Sequence, residues 1–206
     1  MIGDLVERLR SLGQSWGRTN PRERLIETLH LRINEAARQP GLYMRLGVPD
    51  SVEGRFECLI LHVILVLRRL NRLPEPAADV AQDLVNSVFL QLDSALRESG
   101  IGDFGVPKRM KKLGAAFYGR AEGYDAALDS GDAETLRAAL ARNVLGLDTP
   151  EAADALAAYV RATDSALARS DLDGLLGSGP DFPQPASFAG AAPETEPGAQ
   201  PFRTAP

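Results

Sequence analysis

A run of ten uncharged residues, Cys58–Leu67, constrains the fold of this chain more than any other feature. Asp50, Ser51 and Glu53 precede it, and their side chains are those of a helix N-cap and capping box. Apolar residues then recur at spacings of three and four and also fill the other faces of the expected helix. Because a helix that is apolar all round must be covered by others, the run predicts the buried centre of a helical bundle.

The same run is too short to cross a membrane. It holds about half of the roughly 20 apolar residues that a bilayer requires, and arginines follow it at once. Arg68, Arg69 and Arg72 lie in the last turn of the expected helix or just after it, where cations complement the partial negative charge of a helix C-terminus.

Further helices are expected around this centre. Apolar periodicity, caps and prolines at first-turn positions predict them at residues 2–16, 21–38, 77–98, 107–128, 132–145 and 150–169. The connection at residues 42–49 carries aromatic and aliphatic side chains and is expected to press against the core. Since no stretch alternates at period two, the chain is predicted to be all-α, a single-domain bundle of about six to seven helices.

Three regions are expected along the chain. Residues 1–19 form an N-terminal amphipathic helix that packs on the body, with a membrane surface or partner as the alternative. Residues 20–172 form the helical domain. Residues 173–206 form a flexible tail rich in Pro, Gly and Ala, because seven of the 14 prolines lie from Pro180 onward and periodic apolar positions are few.

Composition narrows the class of protein. The net charge of -5 argues against general affinity for nucleic acid or anionic lipid, so such contacts need a local patch. The single cysteine, Cys58, excludes a disulfide framework and a cysteine zinc site, and it fits a reducing compartment. The N-terminus carries acids and lacks a long apolar region, so it is not read as a signal peptide, and the protein is expected to be cytoplasmic.

The sequence holds few candidates for chemistry. His30 and His62 lie among apolar residues and are predicted to be structural histidines, hydrogen-bonded inside the core, rather than metal or haem ligands. No metalloprotease, zinc, phosphate-loop or nucleophile-elbow motif is found. We therefore expect no catalytic residues, no metal and no cofactor, and a protein that is not an enzyme.

One cluster of residues opposes the local physics. Lys108, Arg109, Lys111 and Lys112 crowd the first turns of an expected helix, where cations are unfavourable by a few tenths to about 1 kcal/mol each. Arg120 is expected to extend the positive surface by about two turns. The cluster is either a solvated surface screened by salt or a site for something anionic, such as a phosphate backbone, lipid head groups or an acidic partner.

Two blocks of residues resemble the ubiquinol-cytochrome c chaperone family, in the order and spacing of that family. The first is Gly47-Val48-Pro49-Asp50, then Glu53-Gly54-Arg55-Phe56-Glu57, Leu61-His62-Val63 and Leu65-Val66-Leu67-Arg68-Arg69-Leu70. The second is Val106-Pro107-Lys108-Arg109-Met110, then Phe117-Tyr118-Gly119-Arg120 and Tyr124. The resemblance spans residues 25–159 and implies a bacterial assembly factor for complex III that binds newly made cytochrome b.

The resemblance also implies partners and a site. Mitochondrial members associate with the ribosome and a small partner protein, so the ribosome or a membrane surface is a candidate contact, whereas DNA is not. An apolar groove between residues 43–46 and 104–124, together with the basic cluster, is expected to hold the client. The expected binding residues are Tyr43, Arg45, Phe104, Lys108, Arg109, Lys111, Lys112, Phe117, Tyr118, Arg120 and Tyr124.

Two other classes of protein stay open. One is a helical adaptor or regulator that binds RNA or another anionic partner through the basic cluster, although the acidic net charge and the lack of a DNA-binding motif oppose it. The other is a haem-handling protein that uses His62 or His30, since the implied client carries haem.

Overall fold

The computed structural model describes residues 21–98 and 105–188, and these residues form helices without any β-strand. The all-α prediction is therefore confirmed. The α-helices are α1 Pro21–Ala37, α2 Pro40–Met44, α3 Val52–Leu70, α4 Ala77–Glu98, α5 Gly105–Ser130, α6 Ala133–Leu140, α7 Asp154–Leu167 and α8 Leu172–Leu176. A π-helical turn at Ala141–Leu145 and 3-10 turns at Pro150–Ala153 and Pro185–Phe188 complete them.

Helix α3 is the centre of the bundle, as the apolar run predicts. Every residue from Ile60 to Arg68 is buried. Helices α1, α4, α5 and α7 and the π-helical turn pack around α3, and their apolar side chains join one continuous core. No helix in the described ranges combines the length and the apolar character needed to cross a membrane.

The start of α3 differs in detail from the expected capping box. Ser51 is the N-cap, and its hydroxyl oxygen accepts a hydrogen bond from the Gly54 amide at 3.1 Å. Asp50 instead pairs with Arg55, with 2.6 Å between Oδ1 and Nε. Glu53 is then the second helical residue and not the third, so it cannot complete the reciprocal bond of a capping box.

The end of α3 carries a buried cation. Arg68 is 7% exposed at its side chain and reaches three carboxylates on two other helices. The contacts are Nη1 to Asp125 Oδ1 at 2.9 Å, Nη2 to Asp129 Oδ1 at 2.6 Å and Nε to Asp164 Oδ1 at 2.9 Å. Arg68 therefore ties α3 to α5 and α7, a role beyond the compensation of the helix dipole that the sequence suggests.

The connection between α2 and α3 packs as expected. Leu42, Leu46 and Val48 are buried in the core. Gly47 takes a φ of 77°, in the left-handed region that glycine adopts without strain, and turns the chain toward Pro49 and α3.

The body continues past the expected boundary at residue 172. Leu175 and Pro185 are buried, and Phe182 and Phe188 pack against the core. Proline-rich composition predicts a flexible tail from residue 173, but residues 173–188 instead lie against the body because apolar side chains at wide spacing anchor them. The expected N-terminal helix at residues 1–19 and the rest of the tail, 189–206, lie outside the described residues.

Candidate functional site

The basic cluster lies on the open side of α5. Lys108, Arg109, Lys111 and Lys112 are all exposed. Within residues 21–98 and 105–188, none of the four forms an ion pair with a carboxylate. Their charges therefore add to the partial positive charge of the helix N-terminus without compensation, and the surface is locally positive on an acidic protein.

The outer face of α5 continues from the cluster as a smooth surface. Helical spacing places Lys108 and Lys112 in line with Ala115, Gly119 and Gly123, and all five are exposed. A Cβ atom added at Gly119 or Gly123 would meet nothing within 4 Å. Glycine in a helix interior lowers stability by about 1 kcal/mol relative to alanine. Among the described residues, no close contact requires a glycine at position 119 or 123.

Arg120 does not extend the positive surface, contrary to the expectation. Its side chain is half-buried and binds Glu57 of α3, with 2.6 Å between Nη2 and Oε1. Burial raises the pKa of the Glu57 carboxyl, although the charge and hydrogen bond of Arg120 oppose the rise. This pair joins the two sequence blocks, but its partners lie 63 residues apart, so neither spacing nor periodicity could reveal it.

The aromatic residues that were expected to bind the client separate into two groups. Phe117 and Tyr124 are core residues, at 3% and 1% exposure, because both point inward from α5. Phe117 stacks edge-on against Phe89 of α4, with 5.6 Å between ring centroids. Of the expected aromatic residues within the described ranges, Tyr118 alone is exposed, at 49%.

The expected apolar groove between residues 43–46 and 104–124 stays a prediction. Tyr43 is half-buried and its hydroxyl donates to the Ala37 carbonyl at 2.6 Å, while Arg45 is exposed at the end of α2. No ring contact or hydrogen bond joins Tyr43 to the aromatic residues of α5 in the described ranges. Phe104 lies outside those ranges.

His62 is a structural histidine, as predicted. It is fully buried, and its Nδ1 lies 2.7 Å from the Cys58 carbonyl oxygen, which can only accept. Nδ1 therefore carries the proton, and Nε2 accepts from the Tyr159 hydroxyl at 2.7 Å. Burial lowers the pKa of His62 to about 4, so the ring is neutral near pH 7 and both nitrogens are occupied.

His30 is also buried and hydrogen-bonded. Its Nδ1 lies 2.9 Å from the Ser87 hydroxyl of α4, and burial lowers its pKa. The Nε2 atom has no hydrogen-bond partner. The bond between His30 and Ser87 links α1 to α4, which agrees with the predicted structural role.

Comparison with known proteins adds to this geometry. The family model of the ubiquinol-cytochrome C chaperones matches residues 44–182, which include both sequence blocks, the basic cluster and the whole of α3. A ubiquinol-cytochrome-c reductase complex assembly factor 1 from Xenopus laevis is 27% identical over 139 residues, 66% of this chain and 69% of that protein. The crystal structure of a Cbp3 homolog from Brucella abortus is 38% identical with a TM-score of 0.69, covering 88% of this chain and 95% of that one.

Proposed function

The chain belongs to the ubiquinol-cytochrome c chaperone family, and from this premise we propose that it is a non-enzymatic assembly chaperone that binds newly made cytochrome b. In this role it promotes the assembly of ubiquinol-cytochrome c oxidoreductase, complex III. The name of the Xenopus relative, an assembly factor of the same reductase complex, supports this role.

The placement of the reactive side chains supports a binding role over a catalytic one. The Cys58 thiol is buried, and burial raises its pKa to about 12, which keeps it protonated and unreactive. His62 and Tyr159 are likewise fully buried and bonded to each other. The polar atoms of His62 and Tyr159 are thus occupied within the core rather than directed toward a substrate.

The observation that carries the binding site is the basic cluster, Lys108 to Lys112. Four exposed cations without carboxylate partners, at the positive end of a helix, lower stability unless a partner brings negative charge to them. We infer that this cluster and the outer face of α5 contact the polar, acidic parts of the client or of the assembly that presents it. Tyr118, at the edge of that face, supplies an exposed aromatic side chain.

Deletion of the gene tests the proposed function. Because the protein acts on newly made cytochrome b, we expect the deletion strain to lose spectroscopically detectable cytochrome b and assembled complex III, and a plasmid copy to restore both. Difference spectra and native gels of membranes measure the two levels. Unchanged levels would contradict the function.

Reversal of the four charges tests the site. We expect Lys108→Glu, Arg109→Glu, Lys111→Glu and Lys112→Glu together to abolish complementation and client association. The melting temperature should stay near wild type, because acidic residues suit the first turns of a helix. Complementation, co-purification with cytochrome b and thermal melts followed by circular dichroism measure these three properties.

The control changes exposed arginines elsewhere. Arg24→Glu, Arg38→Glu and Arg161→Glu together also lower the net charge but leave α5 intact, so this variant should complement. If the α5 variant complements as well as the control, the cluster is only a solvated surface. The adaptor function would be supported by two results together. The gene deletion would leave cytochrome b unchanged, and the α5 variant would lose binding to RNA that the wild-type protein shows.

A further inference from the structure

The last described part of the chain, residues 179–188, lies across the body as an irregular strap. We call it the C-terminal strap. The Phe182 ring lies 5.2 Å from the ring of His62 of α3, and the Phe188 ring lies 5.7 Å, edge-on, from Tyr159 of α7. Pro185, midway between them, is buried. The strap thus inserts an apolar side chain at every third residue into a groove between α2, α3 and α7.

Packing, with one backbone hydrogen bond from the Gly179 amide to the Gly174 carbonyl of α8, holds the strap in this groove. Within the described ranges, no backbone hydrogen bond joins residues 180–188 to the helices of the body. The Ser187 amide bonds within the strap, to the Gln184 carbonyl. Its one ion pair, Asp181 with Arg169, spans 3.9 Å between two exposed side chains. A segment without backbone hydrogen bonds to the helices around it opens at lower free energy than the core.

The floor of the groove needs nothing from the strap. The His62 ring donates to the Cys58 carbonyl and accepts from the Tyr159 hydroxyl. Both ring nitrogens therefore have hydrogen-bond partners within the body of the protein. Thr163 bonds the Tyr159 carbonyl at 2.9 Å. Removal of the strap therefore uncovers ring faces and aliphatic carbon without leaving a buried polar group unpaired.

The groove also fits a main chain closely. Gly41 of α2 forms one wall, and a Cβ atom added there would lie 2.8 Å from the Ala186 amide nitrogen and 3.2 Å from Pro185 Cβ. The backbone of the strap, which turns as a 3-10 helix at Pro185–Phe188, therefore runs directly over a glycine, the residue that allows the closest approach of a main chain.

The family match covers the floor of the groove, whereas the wall at Gly41 lies before the match. Residues 44–182 include the floor residues His62 and Tyr159, whereas Pro185 and Phe188 lie beyond the match. The floor residues therefore lie within the matched part of the chain, together with Phe182 of the strap.

We propose that this groove binds a short apolar segment of the unassembled client, with aromatic, proline and aromatic residues at a spacing of three, and that the strap is its resident occupant. The strap shows which chemistry the groove accepts. The identity of the client rests on the proposed function. The existence of the groove and the release of the strap are independent of that function. Binding of the client replaces Phe182, Pro185 and Phe188 by equivalent side chains of the incoming segment.

A labelled peptide with the sequence of residues 179–188 tests the groove in full-length protein. We expect the variant Phe182→Ser with Phe188→Ser, whose own strap is released, to bind this peptide at least tenfold more tightly than wild type in fluorescence anisotropy. Adding Gly41→Val to that variant should remove the binding, because its side chain blocks the groove. Leu90→Ser, which removes an exposed apolar side chain of α4, should behave as wild type.

Equal peptide affinity in wild type and in the released variant would overturn the proposal, as would binding that Gly41→Val leaves intact. Hydrogen exchange of wild type gives a second test that needs no variant. Amides of residues 180–188 should exchange far faster than those of α3, and protection equal to α3 would also overturn it. If the peptide binds as expected but gene deletion leaves cytochrome b unchanged, the groove stands and the proposed function fails.

Discussion

Replacement of Arg68 by alanine is expected to lower the free energy of unfolding by about 3 kcal/mol. The guanidinium is 7% exposed and bonds carboxylates of Asp125, Asp129 and Asp164. Its removal leaves three carboxylates at the junction of α3, α5 and α7, where Arg72 still bonds Asp129 at 2.8 Å. The value lies at the lower end for broken buried pairs, because the carboxylates are 40%, 58% and 30% exposed and water screens them in part.

Urea unfolding followed by circular dichroism measures this loss. The matched control is Arg55→Ala, which breaks the pair with Asp50 at 2.6 Å between side chains that are 62% and 61% exposed. We expect this control to leave the unfolding midpoint nearly unchanged, since exposed pairs contribute little. Similar midpoint shifts in the two variants would show that burial does not increase the contribution of Arg68 and its three carboxylates to the free energy of unfolding.

Acid should weaken the effect of Arg68. The hydrogen bond from Arg68 lowers the pKa of Asp129 below its ordinary value. A group whose pKa is lower in the folded state stabilises the fold above its unfolded pKa and loses that contribution as the pH falls through the folded one. The difference in unfolding free energy between wild type and Arg68→Ala should therefore be full at pH 7 and shrink below about pH 4.

The elements of the fold were open to prediction from local sequence, because local interactions set helix boundaries. Helix α4 begins and ends at the expected residues, and Pro107 lies in the first turn of α5. The apolar run of α3 needs only its own composition to identify it as buried. Proline, glycine and N-cap residues act on the chain within one turn, so they can be read without knowledge of the partners.

The candidate site was harder to predict from the sequence, because its geometry depends on contacts between residues that are far apart along the chain. The basic cluster is exposed as its sequence suggests, but Arg120 is committed to Glu57, and Phe117 and Tyr124 point into the core. The C-terminal strap could not be predicted from composition either. Phe182 and Phe188 contact residues more than twenty positions away, and their spacing does not follow the helical period. Helix propensity carries no information on such contacts.

Gly54→Ala is the second large effect that we expect, with a net loss of about 2 to 3 kcal/mol in unfolding free energy. Gly54 lies in the first turn of α3, directly against the connection from α2. A Cβ atom at this position would lie 2.1 Å from the Pro49 carbonyl oxygen and 3.2 Å from Pro49 Cβ. Because the nearest atom belongs to the backbone, the whole connection must shift, and the gain of about 1 kcal/mol in helix propensity offsets only part of the strain.

The same change at Gly123 is the matched control, with the opposite sign. Gly123 lies in the interior of α5, is exposed, and has nothing within 4 Å of an added Cβ atom. Gly123→Ala should therefore stabilise the protein by about 0.5 to 1 kcal/mol. Thermal and urea unfolding of the two variants measure both signs. Stabilisation by Gly54→Ala would mean that the connection at residues 42–49 is free to move away from α3.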